Sequence, residues 1–180
     1  MTTTTRKQPV AADEAALGEL RAGLRAMLYE RFEEARQHLE AAASPELLDA
    51  GDPTAIDALA YLSSVRWALA DVAGAQDDSE RALALAPERF ATNQKAGEMA
   101  LRLGDLDTAA THFLAALRAS EPGTSDAKAA ETSLREARSR VAKGIRHEAH
   151  LPHMAGWMAR LVPRRRKQRQ PAGGSVTAGT

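Results

Sequence analysis

Apolar residues recur along the middle of the chain at steps of three and four, the spacing of one face of an amphipathic helix. Leu17, Leu20, Leu24 and Leu28 share one such face. Polar and turn-forming residues punctuate the pattern. Read with the usual start and stop signals, it predicts helices over 12–29 and 31–43, over 54–70 and 72–86, and over 89–103 and 105–120. Asp52 precedes Pro53, which suits a capped helix start with proline in its first turn. Asp71 and Asp105 stand where a carboxylate can accept from the first unpaired amides of the next helix. A further helix over 125–148 is predicted after Pro122-Gly123, with Thr124 or Ser125 as its cap. Its apolar positions (Ala130, Leu134, Ala137, Val141, Ile145) form one narrow stripe on an otherwise charged surface.

The pattern repeats. The stretch LADVAGAQDDSERALALAP, 69–87, aligns with LGDLDTAATHFLAALRASE, 103–121, at an offset of 34 residues. Leu69 falls on Leu103, Asp71 on Asp105, Ala75 on Ala109, Ala82 on Ala116 and Leu83 on Leu117. Each copy reads as a tight turn, an Asp cap and a striped second helix. A weaker copy lies upstream in Gly23, Glu30, Ala35, Leu39 and Ala42. Its spacing to the next copy is 40 residues, with the extra six falling in the turn-rich ASPELLDAGDPT.

A helix–turn–helix unit with a 34-residue period resembles the tetratricopeptide repeat. In that pattern a small residue opens the turn, followed at fixed steps by Ala, a large residue, Ala and Pro. Residues 90–123 supply Gly104, Ala109, Phe113, Ala116 and, one place late, Pro122. Residues 56–89 supply Ala70, Ala75, Ala82 and Pro87, with Ser79 where the large residue belongs. The resemblance spans about 14–123, with repeats at about 16–44, 56–89 and 90–123. It implies an all-α fold: a right-handed superhelical solenoid of three helical hairpins within 12–123, closed by a C-terminal capping helix in 124–150. Residues 1–11 are expected to be a disordered tail. Residues 151–180 are expected to hold a short amphipathic segment and a basic flexible tail. An irregular Ala-rich bundle that imitates the repeat by composition is the alternative.

The resemblance also implies a function: a non-enzymatic scaffold that holds a partner peptide or helix in its concave groove. The groove positions it points to are Leu20, Leu24 and Met27 in the first repeat and Tyr61, Ser64 and Trp67 in the second. In the third they are Gln94, Lys95, Glu98, Leu101 and Arg102. Tyr61 and Trp67 would anchor the partner, since large aromatics dominate binding surfaces, and Lys95, Glu98 and Arg102 would select it. Trp67 is also large enough to pack between repeats as core. A clamp for a chaperone C-terminal carboxylate is not expected. Its positions carry Leu20, Leu24, Tyr61, Ala91 and Lys95, of which only Lys95 fits. A mostly apolar groove, suited to a helix or an apolar extended segment, is expected instead.

Composition narrows the chemistry. There is no Cys, hence no disulfide framework and no thiolate nucleophile. No phosphate-binding glycine loop and no Ser-His-Asp arrangement can be proposed, so no enzyme and no cofactor is expected. His147, His150 and His153 are the one metal-like spacing, but Pro152 turns the chain between them. A polar junction is the preferred reading there.

The zero net charge conceals segregation. Residues 138–169 hold ten basic side chains and one acid, leaving a net of −9 on the rest. Within that arm MAGWMARLV, 154–162, is amphipathic and RRRKQR follows Pro163. Trp157, Arg160, Arg164, Arg165, Arg166, Lys167 and Arg169 could meet an anionic membrane surface, which gives the alternative function of a peripheral, polyanion-tethered protein. Nucleic acid is the less favoured polyanion. The remaining reading has 154–162 packing back onto the last helix or the groove. No apolar run is long enough to span a membrane and MTTTTRKQPV is no secretory leader, so a cytoplasmic protein, at most peripheral at the membrane, is expected. A homo-oligomer stays open.

Overall fold

The computed structural model describes residues 9–143, with side chains from Glu14 onward. Among them are eight helices and no strand: α1 (Pro9–Leu28), α2 (Phe32–Ala42), α3 (Pro45–Asp49), α4 (Pro53–Ala68), α5 (Val72–Leu85), α6 (Phe90–Leu103), α7 (Leu106–Arg118) and α8 (Ser125–Ala142). The fold is all-α, and all seven helices that the periodicity predicts are found. Three boundaries differ. α1 starts at Pro9, inside the stretch read as a tail, because proline suits a first helical position. The six-residue insertion holds a helix of its own, α3, which buries Leu48 at 2% exposure in the first core. α8 ends at Ala142, six residues before the expected end.

The helices pair as α1/α2, α4/α5 and α6/α7. The first helix of each later hairpin packs on both helices of the one before: α4 on α1 and α2, α6 on α4 and α5. α8 repeats the placement on α6 and α7. No helix reaches past its nearest neighbours, the contact pattern of a stack that is built one repeat at a time.

The three hairpin turns share one geometry. The amides of Arg31, Asp71 and Asp105 donate to the carbonyls of Ala26, Arg66 and Ala100, five residues back, at 3.0, 2.9 and 2.9 Å. The residue before each lies in the left-handed region: Glu30 at φ 56°, Ala70 at 67° and Gly104 at 83°. This is the Schellman close, which favours glycine, yet only the third turn has one. Ala70→Gly is therefore expected to stabilise the chain by about 0.5–1 kcal/mol, read as a higher urea midpoint at unchanged slope. Past the turn, Asp71 accepts from the Gly74 amide at 3.0 Å and Asp105 from that of Thr108 at 3.1 Å. Asp52 and Thr124 cap α4 and α8 in the same way, at 2.8 and 3.3 Å. Arg31 stands at this position in the first hairpin and gives no side-chain cap.

Where the two helices of a hairpin cross, a large side chain lies over a glycine. A Cβ on Gly23 would meet Leu39 Cγ at 2.7 Å, and one on Gly97 would meet Phe113 Cε1 at 2.6 Å. The equivalent positions of the second hairpin are Ser63 and Ser79, both buried. Ser79 is small where Leu39 and Phe113 are large, and Ser63 is correspondingly larger than glycine. The core runs the length of the stack: Leu39, Leu48, Leu59 and Val65 at one end, Trp67, Ala75 and Met99 in the middle, and Phe113, Leu134 and Ala137 under α8.

Candidate functional site

The first helices of the hairpins carry a row of polar groups that crosses from α4 to α8. On α4 the i, i+4 pair Asp57 and Tyr61 shares a face. Arg89, the residue before α6, grips Asp57 with two bonds: Nε donates to Oδ1 at 2.8 Å and Nη2 to Oδ2 at 2.6 Å. A fork of this kind is among the stronger ion pairs, and Asp57 holds the Arg89 guanidinium above its ordinary pKa. On α6, Lys95 Nζ lies 4.9 Å from the centre of the Tyr61 ring and 2.9 Å from Glu98 Oε2. Gln94 Nε2 donates to Glu98 Oε1 at 3.1 Å and, across to α8, to Ser133 Oγ at 3.0 Å.

A cleft of about 420 Å³ opens beside this row, lined by Asp57, Tyr61, Glu88, Arg89, Phe90 and Asp126 among others. Three carboxylates face it against one guanidinium. Burial pushes the Tyr61 hydroxyl above the usual phenol range, and Asp57, Asp126 and Glu98 push it the same way. The three carboxylates thus oppose a negative charge on the ring oxygen. Such a place favours cationic and hydrogen-bonding groups, and nothing in it is arranged as nucleophile and base.

This corrects the expectation of an apolar groove. Leu20 is buried at 8% exposure, and Leu24 and Met27 pack on the same first core. Trp67 is 5% exposed and belongs to the core between the second and third hairpins, with Ala75 and Met99. Its ring is too large to leave in the open once α6 stacks on α4. Arg102 lies over that ring at 5.7 Å, and burial lowers its pKa. Leu101 packs against the Phe113 cluster. Ser64 is buried, its Oγ without a hydrogen-bond partner. Of the expected groove residues, Tyr61, Gln94, Lys95 and Glu98 come together. Asp57, Arg89, Asp126 and Ser133 join them unforeseen. Asp57 had a signal, its helical spacing from Tyr61; Arg89 had none, since its partner is 32 residues away.

A second polar cluster lies at Arg66. Its guanidinium approaches Asp78 Oδ2 at 3.1 Å, Glu40 Oε1 at 3.4 Å and Asp71 Oδ2 at 3.7 Å, tying α2, α4 and α5 together. The contact with Asp78 lacks the alignment of a hydrogen bond. Burial dominates there and pushes the Asp78 carboxyl up to about 6, with Arg66 offsetting only part of it. Between about pH 4 and 6 the folded chain therefore holds a proton that the unfolded chain has lost. Stability falls as pH rises through that window, by about 1–2 kcal/mol after discounting for solvent. Asp78→Asn is expected to flatten this slope, measured as the difference in urea midpoints between pH 4 and pH 7 for both proteins. An equal pH dependence in the two would show that Asp78 titrates normally.

His147, His150 and His153 lie outside the described residues. So do Trp157, Arg160, Arg164, Arg165, Arg166, Lys167 and Arg169. Among the described residues no group of three metal-ligating side chains is found, and no helix is long and apolar enough to cross a membrane. No protein-family model matches the chain, and no curated protein is significantly similar to it.

Proposed function

We propose that the chain is a non-enzymatic, tetratricopeptide-like adaptor, and that it binds a basic peptide or helix along the first helices of its hairpins. The observation that carries this reading is the half-buried row of Asp57, Tyr61, Lys95 and Glu98, beside an open cleft, rimmed by the exposed Asp126, in which acids outnumber bases. Four of these side chains are held before a partner arrives: Asp57 by Arg89, Glu98 by Lys95 and Gln94, Lys95 by Glu98, and the Tyr61 ring by Lys95. Preorganised polar groups on rigid helices lower the ordering cost of binding. The internal 34-residue period and the nearest-neighbour stacking support the repeat reading. A stack of that kind leaves one face of successive helices side by side, which suits an extended or helical ligand.

The test uses fluorescein-labelled peptides of equal length, Lys/Arg-rich and Asp/Glu-rich, titrated with the full chain and followed by polarisation. The basic set is expected to bind, more weakly at higher salt. Tyr61→Ala and Asp126→Asn should each weaken binding by about tenfold, the effect of one hot-spot contact, with the melting curve showing a retained fold. Equal binding of both sets, or binding indifferent to both substitutions, would sink the proposal.

A further inference from the structure

The second hairpin lacks a side chain that the other two have. Leu39 and Phe113 are large and fully buried, and Ser79 stands at the matching place on α5. A cleft of about 180 Å³ opens there, between α5, α6 and α7. Ser79, Ala96, Met99 and Ala100 form its floor, each at most 8% exposed. The alanines are too short to reach across and close it. Apart from one hydroxyl this floor is apolar, and packed helices hold it in place. A cavity of about 150 Å³ accepts a benzene ring. The cleft therefore has room for a single ring on a short arm and for nothing as large as a nucleotide.

The rim sets the charge of what can enter. Glu80 and Asp105 stand exposed at the mouth, and among the described residues no lysine or arginine lines the cleft. Hydrogen bonds from the side chain and amide of Thr108 hold the Asp105 carboxyl below the usual carboxylate range. His112, also at the mouth, is kept neutral: burial lowers its pKa and outweighs the opposing pull of Asp105. Two negative charges thus lie over an apolar floor, which repels an anion and attracts a cation with an apolar body. Met99 adds a thioether, a favourable neighbour for an aromatic ring. We infer that the cleft between α5, α6 and α7 binds a small phenylalkylammonium ion, with its ring on Met99 and Ala100 and its ammonium group between Glu80 and Asp105. The site shares no residue with the polar row from Asp57 to Ser133, so it stands independently of peptide binding.

The full chain, isotopically labelled at its methionine methyl groups, is titrated with phenethylamine at neutral pH and followed by NMR. With only five methionines, the Met99 and Met27 signals are assigned by their loss in Met99→Leu and Met27→Leu. The Met99 methyl signal is expected to move upfield saturably under the ring current, while that of Met27, in the first core, stays in place. Phenethyl alcohol, the uncharged analogue, should need a concentration about tenfold higher, the combined effect of two exposed carboxylates. Phenylpropionate should leave the signal unmoved. The double variant Glu80→Gln/Asp105→Asn should close the gap between amine and alcohol, with the fold retained because asparagine also caps a helix. Ser79→Leu should fill the floor and abolish the shift, and Ala96→Val serves the same purpose if that chain fails to fold. A Met99 signal that does not move, equal binding of amine and alcohol, or a gap that survives the double variant would each overturn the site.

Discussion

Trp67→Ala is expected to lower the stability of the chain by about 3–5 kcal/mol, the range for truncating a buried aromatic. The indole is 5% exposed and sits among Val72, Ala75 and Met99, where α4, α5 and α6 meet. Small side chains around it cannot move in to fill the space, since Ala75 has nothing to extend. The guanidinium of Arg102 would lose its aromatic face while remaining half-buried, which adds to the cost. Against a typical total of about 5–15 kcal/mol, a loss of this size leaves a large unfolded fraction at 37 °C. Urea denaturation followed by far-UV circular dichroism measures it. Tyr61→Ala is the control: it removes an aromatic that is only partly buried at the edge of the first core, and its midpoint should fall far less. A Trp67→Ala midpoint close to that of the unmodified chain would return Trp67 to the surface and make it a binding residue after all.

The contrast between these two aromatics marks the limit of what the sequence could say. Tyr61 and Trp67 lie six residues apart on one helix, and both suited a groove. Which one becomes core depends on where α6 crosses α4, and that crossing is set by residues more than 25 positions away. Local rules did better where the physics is local. Asp71 and Asp105 cap their helices because a carboxylate three residues before an amide has little else to do, and the 34-residue offset placed both hairpins to within two residues at their ends. α3 was illegible for the opposite reason. Five residues inside a turn-rich insertion are too few to show a helical period, and Leu48 ties them to the first core. The polar row was half legible. Lys95 and Glu98 were foreseen from the repeat, whereas Arg89 and Asp57 meet only after α5 has carried the chain back.

The crossing of α6 and α7 supplies the other large effect. Phe113 is fully buried over Gly97, and an added Cβ would stand 2.6, 2.7 and 3.1 Å from three atoms of its ring. The ring is a rigid body against Ala100, Ala109 and Leu134 and cannot yield by turning a flexible end. Gly97→Ala should therefore cost about 1–3 kcal/mol by overpacking, although alanine is intrinsically the better helix former by about 1 kcal/mol. Phe113→Ala should cost about 3–5 kcal/mol through the cavity it leaves. The two changes act on one space, so they should not add. The second hairpin already runs with serine at both equivalent positions, which shows that the crossing tolerates two small residues together. In the double variant Gly97→Ala/Phe113→Ala the new methyl group occupies part of the cavity, and the clash has no partner left. A double-mutant cycle in urea should return a coupling of at least about 1 kcal/mol in favour of the pair. Strict additivity would mean that α6 and α7 do not cross at these residues, and the matching of large side chain to glycine would then be incidental.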